Sequence, residues 1–352
     1  MKQYLNRRRF LETTAAGIGA LSLTAIGRGE EVLASCRAPA DAGESTPLAF
    51  VPGSFTVAVL PDTQFYCEKF PHHYYNQTRW IVDNAERYNI KQVLHLGDIT
   101  NRNLPDQWQV ARQAMATLDG KVPYALVPGN HDYTGGGHAP NRQTLLNEHF
   151  SFADHSKQSG FGGALDDGKL ENTFHTFRGG DHDYLVIALE WGPRDRAVEW
   201  ADKIVTDHPN HRAILITHAY MYCDDTRYDW QTFREKQHWN PHGYLSDAAG
   251  GVNDGEQLWQ KLVSKHPNFI LTFNGHVCHD GLGLMSSKGA GAHQVHQMLV
   301  NYQMKKEGGE GYLRLVEFLP GDQQLQIKAY SPSLDKFKID SQNQFTLQRS
   351  MS

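Results

Sequence analysis

Short runs of Val, Ile and Leu recur along this chain, and five of them stop at Asp, Asn or His. Apolar runs of about five residues have the length of a buried strand, and no run approaches the ~18 residues of a membrane-spanning helix. The strand candidates are Phe55–Leu60, Gln92–Leu96, Tyr124–Val127, Tyr184–Glu190, Ala213–Thr217, Phe269–Phe273, Gln297–Asn301, Leu313–Phe318 and Leu325–Tyr330. Helical patterns lie between the earlier ones, at roughly His72–Tyr88, Pro105–Leu118, Arg142–Phe150, Asp195–Thr206 and Gly255–His266. Trp80, Ile81, Ala85 and Tyr88 mark one face of the first helix. Pro105 suits a first helical turn. Alternation of strand and helix, then strand after strand, predicts α/β layers closed by an antiparallel set. Residues 133–181 and 219–254 lack regular patterning and read as long functional or mobile loops.

The strand ends carry the chemistry. They read Leu60-Pro61-Asp62-Thr63-Gln64, Leu96-Gly97-Asp98-Ile99-Thr100-Asn101, Val127-Pro128-Gly129-Asn130-His131-Asp132, Ile216-Thr217-His218 and Asn274-Gly275-His276-Val277-Cys278-His279. In an α/β sheet, ligand sites form at the carboxyl ends of the strands. A glycine before the donor lets the backbone turn tightly and approach closely. Mixed oxygen and imidazole donors suit Zn, Mn or Fe better than Mg or Ca alone. A glycosidase built on Asp62 and Asp98 would leave the Asn and His of the other strand ends unexplained.

The order and context of these five segments resemble the calcineurin-like metallophosphoesterase superfamily over about residues 55–280. Val295–Gln303 and Gly308–Tyr312 resemble exported bacterial members of it. The resemblance implies an α/β fold, a four-layer αββα sandwich of two mixed sheets, and a site for two divalent metal ions (Zn, Mn or Fe). Asp98 would bridge both ions. Asn130, His218 and His276 would complete the second site. Asp62, the residue at position 64 and a His after His276 would belong to the first. His131 would face the leaving group, with Asp132 fixing its tautomer. The implied activity is a metal-dependent phosphoesterase that hydrolyses a phosphomonoester or phosphodiester through a metal-bound hydroxide. Its partner would be a small phosphorylated substrate.

Two departures from the family pattern fall on the same metal. Asp-x-His is here Asp62-Thr63-Gln64, and Gly-His-x-His is here Gly275-His276-Val277-Cys278-His279. Gln64 is then either a neutral oxygen ligand or a neighbour that hydrogen-bonds one. At the other motif the donor is His279, Cys278, Asp280 or water. A weak or differently selective first site follows. A non-catalytic metal- or ligand-binding protein with a degenerate first site is the alternative reading. Asn101, Arg227, His238 and His242 are further candidates for substrate contacts. His95, inside an apolar strand, reads as a core histidine. Cys67, Cys223 and Cys278 each follow a motif closely. Cys67–Cys223 is the preferred disulfide, against three unpaired thiols.

The N-terminus has a separate reading. Arg7-Arg8-Arg9-Phe10-Leu11 and the weakly apolar stretch to Ile26 resemble a twin-arginine signal peptide, spanning residues 1–35. Leu33-Ala34-Ser35-Cys36 resembles a lipobox, which would make Cys36 a membrane anchor. Cleavage after Ala34 or Ala40 is the alternative. Residues 36–54 read as a linker, and 55–352 as one domain. Export to the periplasm, the exterior or the envelope surface is the expectation. A net charge of −5 argues against a general nucleic-acid-binding surface.

Overall fold

The computed structural model describes residues 46–245, 250–321 and 323–349. The expectations for the signal peptide, for Cys36 and for most of the linker lie outside these residues. Fourteen strands are described. They are β1 (Phe55–Leu60), β2 (Ile90–His95), β3 (Tyr124–Leu126), β4 (Phe161–Ala164), β5 (Thr173–Gly179), β6 (His182–Leu189) and β7 (Arg212–Thr217). Then come β8 (Phe269–Asn274), β9 (Leu282–Lys288), β10 (Gln294–Val300), β11 (Leu313–Phe318), β12 (Gln324–Ser331), β13 (Lys336–Lys338) and β14 (Phe345–Gln348). The helices that cover them are α1 (Gln64–Glu68), α2 (Pro71–Asp83), α3 (Pro105–Met115), α4 (Asp195–Asp207) and α5 (Gly255–Leu258). The last runs on into a π-helical turn, Trp259–Val263.

The strands form two mixed sheets. One has the order β13-β12-β11-β1-β2-β3, with β14 also on β12; the other runs β4-β5-β6-β7-β8-β10-β9. In the first, β1, β2 and β3 are parallel. In the second, β6, β7, β8 and β10 are parallel. Alternation along β1 shows the layering. Val57 and Val59 join one core cluster with Ile214, Ile216 and Phe273 of the opposite sheet. Ala58 and Leu60 join another with Ile81 of α2 and Trp108, Ala111 and Met115 of α3. The outer face of the second sheet packs Leu185, Ile187 and Leu215 against Val198, Ala201 and Val205 of α4. The result is helix, sheet, sheet, helix, as the family resemblance implies. Side chains of a strand alternate between faces, so strands buried on both faces read as continuous apolar runs.

Phe55–Leu60 and Leu313–Phe318 coincide with β1 and β11, and the other seven strand candidates match with end shifts of one to three residues. β4 and β5 lie in the stretch that reads as loop. Their Gly, Thr and His carry little apolar signal, and pairing on β6 makes them strands. The helix expected over 142–150 shrinks to Leu146–His149. Among the described residues, no helix is long and apolar enough to cross a membrane.

Candidate metal centre

Parallel strands bring their carboxyl ends to one edge, and both sheets deliver motif residues there. β1, β2 and β3 lead into Asp62, Asp98 and Asn130; β7 and β8 lead into His218 and His276. The two sheets meet at Asp98 and His218. His218 Nε2 lies 3.1 Å from Asp98 Oδ1, an ion pair when the ring is protonated. Asp98 Oδ2 and Asn130 Oδ1 are buried and unpartnered. Such groups cost about 1–3 kcal/mol each when nothing meets them, and a cation at their common centre fits this donor set.

The backbone holds the donors. Asp98 and His276 have φ of 45° and 71°, a region costly for residues with a Cβ. The side chain of Asn130 is tied by Nδ2–H to the Gly137 carbonyl at 2.8 Å. His218 donates Nδ1–H to the Leu96 carbonyl at 2.7 Å. His276 donates Nε2–H to the Trp239 carbonyl at 2.8 Å. These bonds fix the tautomers, placing the lone pair on Nε2 of His218 and Nδ1 of His276. A single oxygen or nitrogen from each of Asp98, His218 and His276 can be chosen within 4.8 Å of the others. Gly129 and Gly275 are needed for closeness. A Cβ on Gly129 would stand 2.3 Å from Asp98 Oδ1, and one on Gly275 would stand 2.1 Å from Asp62 Oδ1.

Charge follows the same geometry. Burial alone would raise Asp98, but the rings of His218, His131 and His276 hold it well below the usual carboxylate range. Burial pushes Asp62 up to about 8; His218 opposes this and the Asp98 carboxylate adds to it. His218 rises despite burial because Asp98 stabilises its cation. A metal ion would displace that proton and return the ring to its ligating form.

His131 and Asp132 follow Asn130 in a single 3-10 turn. The expected contact between Asp132 and the His131 ring is replaced. The His131 ring donates Nδ1–H to the Asn101 main-chain carbonyl at 2.7 Å. Asp132 instead accepts from the backbone N–H groups of Ile99, Thr100 and Gly129 at 2.7 to 2.9 Å, and from the Thr100 hydroxyl. It ties the β2 and β3 loops together, because a buried carboxylate among backbone donors is better satisfied there.

Asp62 accepts the His276 N–H at 3.2 Å. Both amide atoms of Gln64 are buried without a partner. His279 is half-buried, its ring 5.2 Å from Trp239 and 6.3 Å from Tyr222. Cys278 accepts from Gln303 Nε2 at 3.3 Å. Two residues without an expected role stand beside Asp62: Asn301 donates to its Oδ2 at 2.9 Å, and Gln303 at 3.4 Å. The signal for them was present, since Asn301-Tyr302-Gln303 also follows an apolar strand.

The outer candidates divide. Arg227 is committed to Glu256 at 2.6 Å, to Gln297 and to the Trp259 face. His242 is paired with Gln257 at 2.7 Å. His238 is exposed, next to the Trp239 carbonyl that holds His276. His95 is the core histidine expected, bonded by Thr63 Oγ1 and the Gly97 N–H. The Cys67–Cys223 pairing is overturned. Cys67 carries no disulfide, while Cys223 is disulfide-bonded. Cys67 packs in the helical layer over the first sheet and Cys223 in the one over the second, with the sheets between them.

The sequence profile of the calcineurin-like phosphoesterases matches residues 55–280, and the chain belongs to that family. It is 30% identical over 285 residues to "Uncharacterized protein YvnB" of Bacillus subtilis (strain 168), across 79% of this chain and 20% of that one. The chain therefore spans about a fifth of the length of that relative. Among solved structures, a purple acid phosphatase from yellow lupin (Lupinus luteus) seeds is 15% identical with a TM-score of 0.48, covering 87% of this chain and 55% of the other. GAP50, the anchor in the inner membrane complex of Plasmodium, is 10% identical with a TM-score of 0.45, covering 85% and 89%. Haemophilus influenzae NAD nucleotidase is 11% identical with a TM-score of 0.40, covering 84% and 50%.

Proposed function

We propose that this chain hydrolyses a small phosphomonoester or phosphodiester at a two-cation centre on the shared strand ends. The observation that carries this is the buried donor set at the strand ends: Asp98, His218 and His276 offer ligand atoms within 4.8 Å of one another, and Asp98 Oδ2 and Asn130 Oδ1 have no hydrogen-bond partner. Asp98 would serve both cations. Asn130 Oδ1, His218 Nε2 and His276 Nδ1 would complete the second site, and Asp62 and Gln64 would belong to the first. When bound, a pair of cations supplies Lewis acidity and a nucleophile at neutral pH.

The chain's own residues supply position and a proton. The Asn101 carbonyl fixes Nδ1–H of His131, so Nε2 is the atom that serves the leaving oxygen. A protein that only held metal would have no use for that ring, which favours turnover over the binding-only alternative. Export is part of the same proposal: the Arg7-Arg8-Arg9-Phe10-Leu11 segment and the weakly apolar stretch after it, which resemble a twin-arginine signal, support it.

The test is turnover of p-nitrophenyl phosphate and its bis ester with added Mn, Zn or Fe, with Asp98→Ala as control. Metal-dependent turnover that Asp98→Ala abolishes is expected. Failure of both substrates with every metal, or equal turnover in the variant, would overturn the reading.

A further inference from the structure

A second set of unexplained atoms belongs to Gln303, which bonds Asp62, and to Gln64, two residues after Asp62. Gln64 is 1% exposed and Gln303 is 3% exposed. Both amide atoms of Gln64 and Oε1 of Gln303 are buried without a hydrogen-bond partner. Gln303 is not loosely placed. Its backbone N–H is held by Asn301 Oδ1 at 2.9 Å, and its Nε2 lies 3.4 Å from Asp62 Oδ2 and 3.3 Å from Cys278 Sγ. Oε1 sits on the same planar amide, so it too is beside Asp62. The two unpartnered amide oxygens, Gln64 Oε1 and Gln303 Oε1, are each costly unless something with positive charge meets them.

We propose that Gln64 and Gln303 give neutral amide oxygens to the first cation. With the carboxylates of Asp62 and Asp98, this site is then built from oxygen alone. The inference rests on the two-cation reading above and specifies its first site. Gln303 stands in for the imidazole that the Gly-His-x-His pattern would place there. His279, one residue late, has its ring 5.2 Å from Trp239, and its Nε2 is likewise buried without a hydrogen-bond partner, so His279→Ala belongs in the test. Cys278 is engaged as an acceptor for the Gln303 amide. An oxygen-only set with two carboxylates and two carbonyls suits a hard cation such as Mn²⁺ or Mg²⁺ over Zn²⁺. The second site, with two imidazoles, suits Zn²⁺. The centre is therefore expected to be mixed-metal by construction.

The experiment separates the two sites. The full chain is stripped with a chelator, loaded with one equivalent of Zn²⁺, desalted, and titrated with Mn²⁺. The Mn²⁺ electron paramagnetic resonance signal and elemental analysis report uptake. The wild type should keep its Zn²⁺ and take one Mn²⁺. Gln303→Leu should keep Zn²⁺ but bind Mn²⁺ about tenfold or more weakly. Gln303→Glu, which adds a charged oxygen, should bind it more tightly than the wild type; this gain cannot come from misfolding. His279→Ala should leave Mn²⁺ affinity unchanged. Unchanged affinity in both Gln303 variants, or loss in His279→Ala instead, would overturn the assignment. A wild type that takes no Zn²⁺ in the first step would instead overturn the underlying metal-centre reading.

Discussion

The two halves of the centre are built by different means. On the imidazole side, each donor has a backbone partner that sets its tautomer: Leu96 for His218 and Trp239 for His276. On the amide side, Asp62 takes one backbone N–H, from His276, and is otherwise held by side-chain amides, with Asn301 and Gln303 both reaching it. Backbone carbonyls at strand ends are rigid. A web of side-chain amides depends on each member being present. One half should therefore resist substitution at its edges, and the other should lose its ion when one amide changes.

The widest break in this comparison comes at Asp98, which serves both halves. Asp98→Ala should lower turnover by roughly 10³-fold or more and reduce bound metal in both sites, checked by kinetics and elemental analysis. His131→Ala should cost about 10²- to 10⁴-fold with a poor leaving group, and much less with p-nitrophenolate, which needs little protonation. Its metal content should match the wild type, separating leaving-group chemistry from metal binding. The glycines sharpen the contrast. Gly129→Ala drives a Cβ against Asp98 and His218, while Gly275→Ala drives one against Asp62. Gly275→Ala should release the amide-side cation first, and Gly129→Ala should weaken both.

The smallest effect lies outside the centre. Burial pushes His155 down to about 4 and His95 to about 3, and holds His175 well below its ordinary value. The folded state keeps these rings neutral, whereas the unfolded chain protonates them below about 6.5. Folding stability is thus complete above pH 6.5 and falls as pH drops toward 4, by about 1.4 kcal/mol per pH unit for each ring. Thermal melts from pH 7 to 4 should show a steady fall in Tm. His155→Phe, a ring of similar shape in an aromatic cluster with Tyr124 and Phe161, should make that fall shallower.

Much of this was legible before any coordinates. Apolar runs of strand length located nine strands. Five strand ends named the donors of the imidazole side, because chemistry at strand ends leaves a local trace. The sixth such end, Asn301-Tyr302-Gln303, carried the same trace but no role. Its meaning needs Asp62, which is 239 residues from Asn301 in the chain. β4 and β5 left almost no trace, since pairing on β6 rather than their own side chains makes them strands.

The sequence by itself determined the alternation of layers, the class of donors and the two departures that make the first site unlike the second. Period-two and period-3.6 patterns and residue chemistry are local properties, so one dimension suffices to see them. Only the tertiary structure decided which donors meet. It gave Asp132 to the β2 and β3 loops and His131 to a carbonyl. It set Cys67 and Cys223 on opposite sides of two sheets. It also brought Gln303 to Asp62, because hydrogen bonds and buried charge are settled by distance in space.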